Sequence, residues 1–460
     1  MTISDILEQI KVTSARAVVE NSIKLAKEKS EYHALLSLTE ERALKRADEV
    51  DAGKIMGKLA GVPFVVKDNF LAFGAPTTAA SKMLENFDAP LQATAVEKLE
   101  LEGAICIGKA NLDAFAHGGS TENSAFGPTK NAIDPTRVAG GSSGGSAVVT
   151  ALNIVPFALG SDTGGSIRQP ASFNGVVGVK PTYGTVSRYG VVAMASSTDV
   201  IGTFATNVAD AELVMSVMAG RDERDMTTLP DFFQIQSEVK SNQKFGLIKD
   251  FMTDDVDLEV RARVNEYVEK LRANGHIVEE VELPMAEHAL AIYYIVVPAE
   301  ISSNLARYDG IRYGYRAEGV NTLAELYGRT RDEGFMTENK RRIMIGSYVL
   351  SSGFFDAYYL QAQKARTLLI NEFNGLFAKY DGLIGPVAPT TAFKLGEHTN
   401  NPIKMYLNDI MTVPTSLAGL PAISVPAGVS ESGLPIGVQL MGPMKSDAAL
   451  LALARSMEVK

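Results

Sequence analysis

Two glycine- and serine-rich segments flank one apolar segment in this chain, and together they decide the fold. Residues 140–146 are GGSSGGS, and residues 160–170 are GSDTGGSIRQP. Between them, residues 147–159 are mostly apolar and supply a helix and then a strand. Glycines let backbone N–H groups converge on one point, because no side chain keeps the amides apart. A serine among such amides is a candidate nucleophile, and the amides are a candidate oxyanion hole.

Apolar strands and amphipathic helices continue to alternate on both sides of this region. Further strands are predicted at 64–66, around Cys106, and at 175–181, 245–248, 381–386, 422–428 and 437–441. The alternation predicts an α/β protein with a single large mixed, mainly parallel sheet covered by helices on both faces. With no internal repeat or low-complexity linker, residues 1–460 are predicted to form one domain. Its parts are N-terminal helices (1–52), a catalytic core (53–284), a helical layer (285–380) and C-terminal strands with a helix (381–460).

Composition excludes several classes of function. A net charge of −10 and a pI near 5.2 argue against a large phosphate-binding surface. The five histidines are scattered, so no metal site is predicted. Cys106 is the single cysteine and fits a reducing cytoplasm. No run approaches the roughly 18 consecutive apolar residues of a membrane span, and the N-terminus lacks the pattern of a signal peptide.

Four interpretations of the glycine-serine region compete. A flexible linker does not fit, because the runs are short and alternate with apolar segments. A phosphate-binding loop needs Lys-Ser or Lys-Thr where Ser146-Ala147 stands. Residues 140–144 match the G-x-S-x-G pattern of a nucleophile elbow, but no downstream histidine lies in a recognisable setting. The fourth interpretation is a serine activated by lysine instead of histidine.

Lys67 is the lysine that the fourth interpretation needs. It follows the apolar residues Val65 and Val66 at the end of a predicted strand. A lysine at such a place is usually an exposed charge. Partial burial would instead favour the neutral amine, which can act as a base. The local sequence leaves both alternatives open.

The spacing of three residues carries a resemblance to a known family. Lys67 precedes Ser142 by 75 residues, and Ser142 precedes Ser166 by 24. This pattern resembles the amidase signature family, whose Ser–cis-Ser–Lys triad has this arrangement. Residues 121–127 (TENSAFG), 178–184 (GVKPTYG) and 340–348 (KRRIMIGSY) are similar to one branch of that family, the A subunits of bacterial Asp/Glu-tRNA amidotransferases. The resemblance covers nearly the whole chain.

The resemblance implies a role for each residue of the triad. Lys67 would be a neutral base, Ser142 a proton relay after a cis peptide bond, and Ser166 the nucleophile that carries the acyl group. The backbone amides of Thr163, Gly164, Gly165 and Ser166 would form the oxyanion hole. The resemblance thus implies that the G-x-S-x-G pattern contains the relay serine and not the nucleophile.

The substrate implied by the resemblance is L-glutamine. Arg342 is expected to bind its carboxylate and Asp409 its ammonium group, because each charge needs an opposite partner. Tyr293 and Tyr294 are expected near the pocket. His117 stands where the family often has methionine and is expected to line the pocket.

The resemblance also implies partners. A B subunit would bind tRNA and use ATP and Mg²⁺ to activate the carboxylate of misacylated Glu-tRNA(Gln) or Asp-tRNA(Asn), and a small C subunit would complete a heterotrimer. No cofactor is expected in this chain, which would contact tRNA only through the complex. Two alternatives remain: a stand-alone amidase of another small amide, and a non-catalytic scaffold with this fold.

Overall fold

One β-sheet runs through the whole protein. The computed structural model describes residues 1–236, 241–399 and 401–458. The eleven strands of the sheet are β1 (Leu35–Leu38), β2 (Pro63–Lys67), β3 (Ile105–Ala110), β4 (Phe157–Asp162), β5 (Val177–Lys180), β6 (Val200–Ala205), β7 (Lys244–Ile248), β8 (Ile277–Val281), β9 (Gly382–Pro386), β10 (Ala422–Val429) and β11 (Pro435–Met441).

Fifteen α-helices occur in the described ranges. They are α1 (Ile3–Val12), α2 (Ala15–Glu28), α3 (Glu40–Asp51), α4 (Thr94–Leu101), α5 (Gly144–Ala151), α6 (Arg168–Asn174), α7 (Val208–Met218), α8 (Leu258–Ala273), α9 (Ala286–Asn304), α10 (Leu323–Gly334), α11 (Thr337–Val349), α12 (Leu360–Phe377), α13 (Pro402–Leu407), α14 (Val413–Leu417) and α15 (Asp447–Met457).

The strands lie in the order β1-β3-β2-β4-β6-β5-β10-β11-β9-β7-β8. The prediction of a single large mixed sheet is confirmed, but the sheet is not mainly parallel. Among these strands, six neighbouring pairs are antiparallel and four are parallel. One reason is the short turn between β10 and β11, where the Ser430 N–H donates to the Leu434 carbonyl. A turn of this length joins only antiparallel strands, whereas parallel neighbours need a long crossover.

Helices cover both faces of the sheet, as predicted. Successive side chains of a strand point to opposite faces, and β2 illustrates the result. Phe64 and Val66 pack in a buried cluster with residues of α4, α7, α8 and α15. Val65 packs on the opposite face with residues of α2, α3 and α5. The sheet is therefore buried on both sides at the strand that carries Lys67.

Helices α9 and α12, with Ile343 of α11 packed against them, form a further layer over the half of the sheet that contains β9, β10 and β11. The segment Ala286–Arg307, which contains α9, is long and apolar enough to cross a membrane by length and composition alone, and half of its most apolar part is buried inside the protein. Ile292 and Val296 of α9 pack in this layer with Leu369 and Phe373 of α12. The apolar character of α9 therefore fits a helix between other helices.

The fold brings the two glycine-serine segments to the end of β2. Strands β2 and β4 are parallel neighbours, so their carboxyl ends lie at the same edge of the sheet. Lys67 is the last residue of β2, and Asp162 is the last residue of β4. The first glycine-serine segment leads into α5, which packs on both strands. Lys67 and the two serine loops thus meet at one edge.

Candidate active site

Lys67 and Ser142 form the centre of the site. The Lys67 Nζ lies 2.7 Å from the Ser142 Oγ, and both residues are completely buried. Nζ also lies 3.0 Å from the Ser161 Oγ and 3.4 Å from the Ser161 carbonyl oxygen. The exposed strand-end charge, one of the two alternatives for Lys67, is therefore wrong.

Burial makes Lys67 suitable as a base. Desolvation lowers the pKa of its amine from 10.5 to about 7, although Asp113, Asp162 and Asp199 raise it in part. A buried ammonium loses its hydration, so the neutral form becomes favoured. A base with a pKa near the working pH is the most effective proton acceptor. Lys67 is thus able to accept a proton from Ser142 at neutral pH.

The backbone around Ser142 is held by Asp113. The Gly141–Ser142 peptide bond is cis. The Asp113 carboxylate accepts the N–H groups of Thr121 and Asn123 at 2.9 and 3.0 Å and lies against Gly141. A Cβ atom at position 141 would overlap the Asp113 Oδ2, so only glycine fits there. The sequence contained no signal for Asp113, because its role depends on contacts that form only in the folded chain.

Asp162 organises the loop that carries Ser166. Its carboxylate accepts the N–H groups of Gly165 and Ile167 at 2.9 and 3.2 Å. It also pairs with the Arg168 guanidinium at 3.0 Å, with both side chains fully buried. The Ser166 carbonyl oxygen accepts the Ser143 N–H at 3.2 Å, which joins this loop to the residue after Ser142. Ser166 itself is 8% exposed, so part of it remains accessible from outside.

The structure corrects one member of the predicted oxyanion hole. The Gly165 N–H donates to Asp162, so this amide is already engaged. Gly165 has a φ of +145°, and a Cβ atom there would overlap the Thr412 Oγ1. Because Thr412 approaches so closely, only glycine fits at position 165. Thr163 and Gly164 remain candidate donors, with the amide of Ser166 itself.

A cavity of about 190 Å³ is lined by Asp113 and by two of the predicted binding residues, Arg342 and Asp409. The Thr412 Oγ1 lies 2.6 Å from the Gly164 carbonyl oxygen and 3.1 Å from that of Asp409. Thr412 therefore ties one wall of the cavity to the Ser166 loop. Asp113, which contacts Gly141, ties another wall to the Ser142 segment.

Arg342 lies on α11 and is 3% exposed. Its ion-pair partner, Glu338, lies one turn earlier on the same helix. Its Nε donates to the Glu338 Oε1 at 2.8 Å, and one Nη2 hydrogen bond reaches the Tyr294 hydroxyl at 3.4 Å. Within the described residues, Nη1 has no hydrogen-bond partner. Burial opposes the charge of Arg342, but neighbouring acidic groups, with Tyr294 and Glu338 first, hold its pKa well above the ordinary value. Arg342 is therefore a fixed cation with part of its planar fork available to a ligand.

Aromatic rings enclose the Arg342 guanidinium. Tyr294 and Tyr406 stack with ring centroids 3.9 Å apart, and the guanidinium lies 5.1 Å from the centre of the Tyr294 ring. The Tyr406 hydroxyl donates to the Glu338 Oε1 at 2.8 Å. Tyr293 lies deeper, and a Cβ atom at Gly164 would be 2.8 Å from its hydroxyl oxygen. Tyr294 thus faces the cavity, whereas Tyr293 packs on the candidate oxyanion loop.

Asp409 faces the same cavity from the segment between α13 and α14. Removal from bulk water raises the pKa of its carboxyl group to about 8; Asp162 and Asp113 contribute in the same direction, and Arg342 opposes them. Asp409 is therefore largely protonated at neutral pH. A ligand cation in the cavity would favour its ionised form.

His117 does not line the cavity, and this expectation is corrected. The imidazole is completely buried, with its Nδ1 2.5 Å from the Asn339 Nδ2 of α11. Burial and then the charge of Arg342 lower the pKa of His117 well below its ordinary value, so the ring is neutral. The His117 ring contacts α11 at Asn339, which lies one turn before Arg342. The side chains of Asn339 and Tyr406 had no sequence signal, because each acts through contacts between separate elements, whereas the i, i+4 spacing of Glu338 and Arg342 on one helix could have indicated their pairing.

Known proteins are similar to this chain over nearly its whole length. Residues 17–451 match the family model described as Amidase. The chain belongs to the amidase family. It is 50% identical over 443 residues to the A subunit of glutamyl-tRNA(Gln) amidotransferase from Thermosynechococcus vestitus, covering 95% of this chain and 92% of that protein. It is also 50% identical to the protein of the same name from Gloeobacter violaceus over 459 residues, covering 98% of this chain and 93% of that one.

A solved amidase-family structure extends the comparison to three dimensions. The chain matches the crystal structure of the A subunit of glutamyl-tRNA(Gln) amidotransferase from Thermotoga maritima with a TM-score of 0.83 and 40% identity. The match covers 100% of this chain and 94% of that one. The amidase family resemblance seen in the sequence is therefore confirmed over the whole fold.

Proposed function

We propose that this protein is the glutamine-hydrolysing A subunit of a tRNA-dependent amidotransferase. The observation that carries the proposal is the buried Lys67 amine 2.7 Å from the Ser142 hydroxyl, together with a cavity that Arg342 and Asp409 line and that Asp113 connects to Gly141. The relatives named as A subunits of glutamyl-tRNA(Gln) amidotransferase support the same assignment over nearly the full chain.

In the proposed reaction, the Ser166 Oγ forms a bond to the side-chain amide carbon of L-glutamine. Its proton passes to the Ser142 Oγ as the proton of Ser142 passes to the Lys67 Nζ. Lys67 returns a proton through Ser142 to the amide nitrogen, the C–N bond breaks, and ammonia leaves. Water then attacks the ester, with proton transfer through the same residues, and glutamate is released. Each step uses Lys67 alternately as a base and as an acid.

The oxyanion of each tetrahedral intermediate needs hydrogen-bond donors. In the proposed mechanism, the amides of Thr163, Gly164 and Ser166 supply them, and the Gly165 amide instead fixes the turn by donating to Asp162. Donors held by a rigid turn need no reorganisation during the reaction. The buried Asp162–Arg168 pair provides that rigidity.

The two ends of free glutamine suit the charges of the cavity. Arg342 is proposed to bind the α-carboxylate through its free Nη edge, and Asp409 to bind the α-ammonium group. Tyr294 would pack beside the α-carbon. This arrangement directs the side-chain amide away from Arg342 and toward the Ser166 loop, which Thr412 connects to Asp409.

The ammonia is proposed to serve a partner. In this proposal a B subunit binds tRNA, uses ATP and Mg²⁺, and converts misacylated Glu-tRNA(Gln), Asp-tRNA(Asn) or both; a small C subunit completes the heterotrimer in the cytoplasm. The net charge of −10 on this chain supports leaving tRNA binding to that partner.

Two neighbouring arginines allow a matched test of carboxylate recognition. Replacement of Arg342 by lysine is expected to raise the KM for glutamine roughly 10- to 100-fold, because a point charge replaces a planar fork. The control is Arg341→Lys, since Arg341 also pairs with Glu338 but has a side chain that is 39% exposed. Steady-state glutaminase kinetics of both variants give the answer. A larger rise in KM for the Arg341 variant would show that Arg342 does not bind the carboxylate.

The Asp409 carboxyl group predicts a pH dependence of glutamine binding. Its pKa of about 8 means that binding of an ammonium group below pH 8 requires loss of a proton from Asp409. The wild-type KM is therefore expected to fall as the pH rises from about 6.5 to 8 and to level off above. Asp409→Asn is expected to give a KM at least about tenfold higher that no longer varies over this range. A pH-dependent KM in the asparagine variant would contradict the assignment.

The proposed function is tested by purifying the chain with the proteins that accompany it and assaying amidation of Glu-tRNA with glutamine and ATP. Formation of Gln-tRNA, with one glutamate released from glutamine for each amide formed, is the expected result. Rapid hydrolysis of other small amides by the chain alone, with glutamine not consumed, would instead identify a stand-alone amidase.

A further inference from the structure

Lys67 has hydrogen-bonding neighbours on two sides, and only one side belongs to the triad. Ser142 lies at 2.7 Å, and Ser161, the residue before the end of β4, lies at 3.0 Å through its hydroxyl group. The Asn69 Nδ2 donates to the same Ser161 Oγ at 3.1 Å. Asn69 and Ser161 are both buried, with 2% and 4% of their surface exposed.

A second cavity, of about 230 Å³, lies against this side of Lys67. Asn69, Ser161 and Asp199 are among the residues that line it, and none of its lining residues lines the cavity of Arg342 and Asp409. The Asn69 Oδ1 is buried without a hydrogen-bond partner among the described residues. The hydroxyl of Ser161 thus stands between the base and a polar space outside the substrate cavity.

We infer that Ser161, fixed by Asn69, is a positioning residue that aims the lone pair of Lys67 at Ser142. A neutral amine has two N–H groups and one lone pair. The Ser161 Oγ and the Ser161 carbonyl oxygen, at 3.0 and 3.4 Å, accept the two N–H groups. The lone pair then faces the Ser142 Oγ, which is the closest neighbour.

The same contacts act after proton transfer. The ammonium form of Lys67 has three N–H groups, and all three acceptors are already in place. A hydrogen bond to a charged group is stronger than one between neutral groups. Ser161 therefore both orients the neutral base and stabilises its charged form, which none of the triad residues does from that side. This inference rests on the proposed function, because it assigns a role in the same proton transfers.

The test measures kcat for glutamine hydrolysis as a function of pH in the full chain with its co-purified partners. Ser161→Ala is expected to lower kcat at pH 8 about tenfold or more and to move the acid limb about one pH unit lower, with KM nearly unchanged. The acid limb moves because the ammonium form loses an acceptor. Asp113, Asp162 and Asp199 also face Lys67, but the variant leaves them in place.

Two further variants and one control make the result specific. Ser161→Thr keeps the hydroxyl, with the cavity as room for its methyl group, and is expected to restore both kcat and the acid limb. Ser161→Cys fills the same space with a group that forms only weak hydrogen bonds. If the alanine variant is unstable, the cysteine variant replaces it, and the same changes in kcat and in the acid limb are expected. Ser146→Ala is the control, because Ser146 is another buried serine whose hydroxyl donates to the Leu159 carbonyl and forms no hydrogen bond with Lys67.

The outcomes separate this inference from the function on which it rests. A wild-type protein without glutaminase activity would overturn both. Wild-type activity, with Ser161 variants that match Ser146→Ala in kcat and in the acid limb, would overturn the positioning role alone. A lower kcat with an unmoved acid limb would also overturn it, because loss of packing alone has that effect.

Discussion

Replacement of Ser166 by alanine is expected to abolish glutamine-dependent amidation while leaving amidation with added ammonium intact. Without the Oγ atom no glutamyl ester forms, so the expected loss of glutaminase activity is at least about 10³-fold. Ammonium bypasses this chain, because it supplies the nitrogen directly to the partner. The measurement is the rate of Gln-tRNA formation with each nitrogen donor, using the same preparation.

A second buried serine provides the control for that result. Ser146→Ala removes a hydroxyl group from α5 that bonds to the Leu159 carbonyl, and it should leave both nitrogen donors effective. Persistence of glutamine-dependent amidation in the Ser166 variant would show that another residue is the nucleophile. Loss of both donors in that variant would show a failure of folding or assembly.

Replacement of Lys67 by methionine is expected to lower kcat for glutamine hydrolysis by about 10²- to 10⁴-fold, the range that a general base contributes. Methionine has a similar length and no charge, so it fits the buried space that Lys67 occupies. The KM for glutamine should change little, because Arg342 and Asp409 bind the amino acid in this proposal. Thermal melting of the variant checks that the fold is retained.

The same lysine sets the expected pH dependence of kcat in the wild-type protein. Lys67 must be neutral to accept a proton, and its pKa is about 7. Activity is therefore expected to fall as the pH drops through 7 and to be level above it until another group titrates. A kcat that stayed constant from about pH 8 to pH 5.5 would exclude Lys67 as the base.

Much of the sheet could be predicted, and its missing strands have physical reasons. Apolar runs indicate β2, β3, β4 and the strands near the C-terminus. The strand β8 was not predicted, because it lies at the edge of the sheet and only Val278 and Val281 are buried in it. The strand β1 has four residues and none is fully buried, and Gly202 and Thr203 interrupt the short apolar run of β6. Such strands carry too short an apolar pattern to be distinguished from a loop.

The sequence indicated which segments form strands better than it indicated whether neighbouring strands are parallel or antiparallel. An apolar run has the same composition in a parallel and an antiparallel pair, so the sequence does not state the direction. The pairing of β6 with β4 and β5, both antiparallel, arises from connections that the apolar pattern does not describe. The prediction of a mainly parallel sheet was wrong for this reason.

At the candidate site, the sequence indicated the residues for which direct roles are proposed and not the side chains that contact and hold them. Of the predicted residues, Lys67 and Ser142 lie 2.7 Å apart, and Arg342 and Asp409 line one cavity. The supporting side chains were not predicted, because the contact of Asp113 with Gly141 and that of Ser161 with Lys67 exist only in the folded chain. Likewise, the engagement of the Gly165 amide by Asp162 is a property of the turn and not of the residue type.

The most direct test of the account is to trap the acyl-enzyme with L-glutamine and locate it by mass spectrometry. Rapid acid quenching during turnover is expected to leave one glutamyl group on the protein. Cleavage after arginine yields a peptide from Val138 to Arg168 that contains both Ser142 and Ser166, so fragmentation must place the group. The account predicts the glutamyl group on Ser166, and finding it on Ser142 would contradict the assignment of relay and nucleophile.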